Sequence, residues 1–133
     1  MGGQTTLYDI DYTTDRLVTQ GSVNFPPGTS PNTGTLFDVG PLGVNTSALL
    51  GFDISALSGI AFASLTPVAG AAFSSLYTIN LASGAATLVG TIGGGSTVRG
   101  IAVSNLPEPG VLALAGMMLG GMTIALRRRR ISP

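Results

Sequence analysis

Leu76-Tyr-Thr-Ile-Asn-Leu81, followed by Ala82-Ser-Gly-Ala85 and Ala86-Thr-Leu-Val-Gly-Thr-Ile92, decides the fold. Tyr77, Ile79 and Leu81 fall on alternate positions, the period of a pleated strand with one apolar face. Ala82–Ala85 carries the small residues that a tight turn tolerates, and Ala86–Ile92 is the expected return strand. The unit predicted is a β-hairpin. It occurs twice. Leu7-Tyr-Asp-Ile-Asp-Tyr12, a turn at Thr13–Asp15 and a strand over Leu17–Val23 align with it, without a gap, at an offset of 69; Gly21-Ser-Val23 falls on Gly90-Thr-Ile92.

A second recurrence sets Gly59-Ile-Ala-Phe62 against Gly100-Ile-Ala-Val103 at an offset of 41. A period of about 41 residues is the size of a four-stranded propeller blade. Thr35–Val44 and Gly51–Ile54 supply further short strands, and Phe25–Gly34, with three prolines and two glycines, is a loop. The predicted fold class is all-β. Residues 1–106 form about two propeller-like antiparallel blades, a fragment of a β-propeller, and residues 107–133 form a C-terminal tail with one transmembrane helix.

The stretches GPLGV (40–44), GFDI (51–54), LYTINL (76–81) and TLVGTIGGG with RGIAV (87–103) resemble an uncharacterised bacterial domain-of-unknown-function family of propeller-like repeats, of family 4394 type, often joined to PEP-CTERM tails. The likeness covers most of residues 6–105 and lends no activity. Two blades cannot close a ring of the usual four to eight. Met1–Thr6 has neither the charged start nor the hydrophobic core of a signal peptide. Both points lead to the expectation that the chain is the C-terminal part of a longer, N-terminally truncated protein, or else that partners cover its open sheet edges.

Charge is divided along the chain. Residues 1–106 hold Asp9, Asp11, Asp15, Asp38 and Asp53 against Arg16 and Arg99, whereas the tail sets Glu108 against Arg127, Arg128, Arg129 and Arg130. Lysine is absent, so the body has no basic face to neutralise phosphates, which argues against nucleic acid as a partner. With no Cys and no His there is no disulfide, no thiolate metal site and no imidazole base.

The tail reads Pro107-Glu-Pro-Gly, then an apolar run through Val111, Leu112, Leu114, Gly116, Leu119, Gly120, Ile124 and Leu126, then Arg127–Arg130. From Gly110 the run would span about 25 Å as a helix at ~1.5 Å per residue, just short of a ~30 Å hydrocarbon core. Its flanks distinguish a membrane helix from a buried soluble one. Pro109 is suited to a helix start, and four arginines are costly to bury. The positive-inside rule keeps the arginines in the cytoplasm and the body across the inner membrane, on the periplasmic side.

This ordered triplet resembles the PEP-CTERM sorting signal of Gram-negative exopolysaccharide-producing bacteria, over the last quarter of the chain. The resemblance implies that an exosortase-type membrane protease is a partner. It implies that Pro107, Glu108 and Pro109 are its recognition element, that Val111–Leu126 is a transient anchor, and that Arg127–Arg130 is the cytoplasmic retention signal. Processing would then release the body to the cell surface. Gly116 and Gly120 make a GxxxG pair that can bring two helices close, although chance matches are common in so glycine-rich a chain.

The body offers weak sites. Asp9, Asp11 and Asp15 could supply oxygen ligands to a metal such as Ca²⁺, but lack the glycine and closing glutamate of an EF-hand; solvated strand carboxylates and a turn-capping Asp are the ordinary reading. Gly93–Thr97 has no following Lys and reads as a connecting loop rather than a phosphate cradle. Asn45-Thr-Ser47 matches a glycosylation pattern that is common by chance. Asp38 and Asp53 are the carboxylates left for glycosidase-like chemistry, with nothing in the sequence to place them together. Arg99 is expected to cap a loop or pair with an Asp.

The function expected is a non-catalytic structural or binding module of the cell envelope, needing no cofactor, sorted to the surface and associated with an extracellular polysaccharide matrix. The rival readings are the C-terminal fragment of a propeller lyase or hydrolase, and a permanently membrane-anchored protein that dimerises through Gly116 and Gly120.

Overall fold

Alternation of apolar and polar residues places Tyr8 and Ile10 on one face of their strand and Tyr77 and Ile79 on one face of theirs, and the chain builds two sheets on those faces. The computed structural model of the protein describes residues 4–68 and 73–104. The predicted tail helix, with Pro107–Pro109 and Arg127–Arg130, lies outside the described residues; among those described, no helix is long and apolar enough to cross a membrane. Seven strands are present: β1 (Thr5–Asp11), β2 (Arg16–Phe25), β3 (Leu36–Pro41), β4 (Leu50–Ile54), β5 (Ala61–Leu65), β6 (Ser75–Ile79) and β7 (Ala86–Thr91). All pairings are antiparallel, in the orders β1-β2-β3 and β4-β5-β6-β7. The all-β expectation holds, and both predicted hairpins form within two residues of their expected bounds.

The two hairpin turns repeat each other in detail. Asp11 accepts hydrogen bonds from the Thr13 N–H (2.9 Å), the Thr13 hydroxyl (2.6 Å) and the Thr14 hydroxyl (2.7 Å). Its counterpart, Asn80, accepts the Ala82 N–H at 2.9 Å. Four positions further on, Asp15 (φ 55°) and Gly84 (φ 80°) both take the left-handed conformation that Asp tolerates and Gly favours.

Ile10, Leu17 and Leu42 from the first sheet and its exit meet Ala61, Ala63, Leu65 and Ile79 from the second in one buried core, flanked by Tyr8, Phe52, Ile54 and Tyr77. The repeat therefore puts its equivalent residues, Ile10 and Ile79, into one shared core. In a ring of successive blades, equivalent residues would all point the same way around the ring. Burying one such Leu or Ile contributes about 1.5–3 kcal/mol.

Between the sheets Leu42 is a backbone bridge: its N–H donates to Asp15 O and its carbonyl accepts from Ala86 N–H, both at 2.9 Å. Gly40 of β3 and the Ser83–Gly84 turn touch there backbone to backbone: a Cβ on Gly40 would overlap Ser83 O, and one on Gly84 would overlap Gly40 O.

Candidate functional site

The acidic residues of the first sheet are held separately. Asp9 Oδ1 accepts the N–H of Ile10 at 2.7 Å, Asp11 serves its turn, and Asp15 Oδ1 reaches across to the Thr46 N–H at 2.8 Å. No group of three acidic residues is poised around a metal position among the described residues. Asp38 forms a two-point ion pair with Arg16 on the neighbouring strand, joining its carboxylate to Nε and Nη2. That guanidinium holds the Asp38 carboxyl below its usual range, and the Thr13 and Thr14 hydroxyls do the same for Asp11. Asp38 and Asp53 sit on different sheets, each committed to its own partner.

Two larger concave features stand out among the described residues. A half-open cleft of about 500 Å³ is lined by Tyr8, Val23, Asp38, Val39, Leu81 and Ala82, with an aromatic ring and a carboxylate at its margin. The second lies on the far face of β4–β7, away from the shared core. There Phe62 and Leu76 meet Ile101, Ala102 and Val103 around an apolar hollow of about 340 Å³.

Beside that apolar patch the far face carries hydroxyls. Ser64, Ser74 and Thr66 are buried. Ser74 Oγ lies 2.6 Å from Thr66 Oγ1 and accepts the Val98 N–H at 2.8 Å, while its backbone bonds Ser96 and Ile92. From Val98 the chain passes over Gly51, where a Cβ would come within 2.6 Å of Gly100 Cα. It is then caught by Asp53, whose Oδ2 accepts the Val103 N–H at 2.6 Å. Residues 98–103 thus form a strap across the second sheet, latched at Ser74 and Asp53.

Sequence reasoning missed this latch. It reads Asp53 only as a carboxylate left over, with Asp38, for glycosidase-like chemistry, and does not single out Ser74. Gly93–Gly95 forms a short 3-10 turn, in keeping with the connecting-loop reading. Asn45 is exposed, while Thr46 is buried with its hydroxyl directed at Thr66 O (3.3 Å). Arg99 is exposed on the strap.

Residues 1–102 match the model of a family described as a domain of unknown function, DUF4394. The chain belongs to that family. No curated protein and no solved structure matches it. All seven strands, and the strap as far as Ala102, fall within the DUF4394 region.

Proposed function

We propose that this DUF4394 protein is a non-catalytic structural or binding module of the bacterial envelope, delivered to the cell surface by an exosortase-type system. The observation that carries the reading is the ordered tail: Pro107-Glu-Pro, an uncharged run over Val111–Leu126, and Arg127–Arg130 at the end. The run suits hydrocarbon and the arginines suit the cytoplasmic surface, so the body would be held periplasmically until the tail is cut. A non-catalytic role is supported by the side chains available. The five aspartates of the body accept bonds from turns, edges, the strap or Arg16, and Asp38 and Asp53 border separate clefts.

The blade reading is retained for β4-β5-β6-β7, a four-stranded meander whose far face carries Gly100–Val103, the repeat of its own Gly59–Phe62. The envelope route implies an exopolysaccharide partner, and the cleft beside Tyr8 and Asp38 is the place to seek its contact.

The test is fractionation of N-terminally tagged protein in a host with and without its exosortase. With the enzyme, released protein lacks the helix and the arginines. Without it, the full chain stays in the inner membrane. Full-length protein in the cytosolic fraction would sink the proposal, and surface protein with an uncut helix would replace sorting by permanent anchoring.

A further inference from the structure

The ladder phase fixes which backbone groups leave the edge of each sheet. Asn80 N–H donates to Ala85 O at 2.9 Å, so N–H groups at even positions of β6 turn toward β7. Those of Tyr77 and Ile79 turn toward β5, opposite Ala63 and Ala61. By the repeat, the corresponding N–H groups of Tyr8 and Ile10 turn away from β2. Among the described residues β1 pairs with β2 alone, so this edge has no neighbouring strand. A carboxylate fills the place: Asp9 Oδ1 accepts the Ile10 N–H at 2.7 Å. At the repeat position of Asp9 the interior strand β6 carries Thr78, and there the next N–H faces a strand.

The other edge of the same flank repeats the device. Ser55 N–H donates to Ile60 O at 2.9 Å, which turns the N–H of Ile54 outward from β4, and Asp53 Oδ1 accepts it at 2.8 Å. Thr6–Tyr8 and Phe52–Ile54 border one cleft of about 220 Å³, so the two guarded edges lie side by side. Acidic side chains on edge strands oppose pairing with other chains.

The strand that pairs with β6 begins in Gly59-Ile-Ala-Phe62, and the chain carries a second version of it, Gly100-Ile-Ala-Val103, which belongs to neither sheet. We propose that the outer edge of β1 is a strand-binding site for Gly100–Val103 of a second copy of this chain, with the Asp9 carboxylate as its gate. Carrying the pairs Ala61↔Ile79 and Phe62↔Thr78 over through the two offsets sets Ala102 opposite Ile10 and Val103 opposite Asp9. Alanine is the residue that β5 places against Ile79, so the incoming strand fits the core margin as β5 does. For the strand to bind, Asp9 must release the Ile10 N–H, and Val103 must leave Asp53 of its own chain. Exchange in both directions closes a two-fold dimer.

The experiment uses the full chain in detergent micelles. Val103 and Asp9 would form a non-hydrogen-bonded antiparallel pair, with Cα atoms about 4.5 Å apart, inside the disulfide range. In a protein without cysteine, the Asp9→Cys/Val103→Cys variant removes the gate and reports the register together. The expected result on mild oxidation is a disulfide-linked dimer, at least about fivefold more abundant than in Leu7→Cys/Val103→Cys, which is two residues out of register. Asp9→Thr, copying Thr78, should raise the dimer fraction severalfold in native mass spectrometry. Asp9→Asn keeps an acceptor oxygen and should remain at the wild-type fraction. Equal crosslinking from positions 7 and 9, as a dimer held only by its tails would give, overturns the proposal. So does an Asp9→Thr chain with the wild-type dimer fraction.

Discussion

The two faces of β4-β5-β6-β7 are covered by different chemistry. Toward the other sheet stand Ala61, Ala63, Leu65 and Ile79, met by Ile10, Leu17 and Leu42. On the far side Ser64 and Ser74 bond the backbone of the strap, Thr66 bonds Ser74, and Phe62 and Leu76 border an apolar hollow with Ile101 and Val103. Apolar burial is non-directional and scales with area, so the near face holds two sheets together as one body. On the far face, directional bonds from two latching side chains, with only a small apolar patch beside them, hold a single segment in place. The two faces should therefore fail separately, the near one taking the domain with it and the far one releasing only residues 98–103.

The largest expected effect comes from the near face. Leu17 is fully buried, and Leu17→Ala should cost about 2–5 kcal/mol, read as a lowered midpoint of global chemical unfolding. Gly84→Ala comes next. The residue sits at φ 80° against the backbone of Gly40, so the added methyl both strains the turn and separates the sheets. A loss of about 1–3 kcal/mol is expected in the same measurement.

On the far face, Ser74→Ala leaves the Val98 N–H and the Thr66 hydroxyl short of a partner, a local cost of about 1–3 kcal/mol. Hydrogen exchange should speed up at Val98 and Val103 while protection in β5 and β6 stays near the wild-type level. If β5 and β6 lose protection together with the strap, the separation of the two faces is wrong.

The smallest effect is electrostatic. Arg16 lowers the folded-state pKa of Asp38, as Thr13 and Thr14 lower that of Asp11. A depressed carboxyl pKa stabilises the fold above its unfolded value of about 3.9 and stops doing so as pH falls through the folded value. Stability should thus be level from pH 7 to about pH 5 and decline below about pH 4. Asp38→Asn should flatten part of that decline. Both carboxyl groups are solvated, so the change is small.

The hairpins were legible because alternation and turn residues act locally. LYDIDY and LYTINL gave both strands, and Asp11 and Asn80 perform the same turn-capping task in the two copies. Alternation shows which residues share a face but not where that face turns. That Ile10 and Ile79 share one core was therefore hidden in a period that equally suggested successive blades. The Ser74 and Asp53 latch was hidden for another reason. Its partners are backbone groups 24 and 50 residues away, and backbone groups carry no sequence signal. Glycine told only half its story: GIAV could be read as a copy of GIAF, but not that the strap passes over Gly51 because nothing larger would let it by.

The meeting of Gly40 and Gly84 has a consequence for how this domain can change over time. Contact of main chain against main chain fixes a distance that no side chain can adjust, so the gap between the layers at that corner is constant whatever fills the interior. Interior residues are then free to be exchanged for others of equal volume, while growth in their combined size must be absorbed at the opposite flank, the one bordered by β1 and β4. Divergence in this fold should therefore hinge about that corner, opening and narrowing like a book held at its spine.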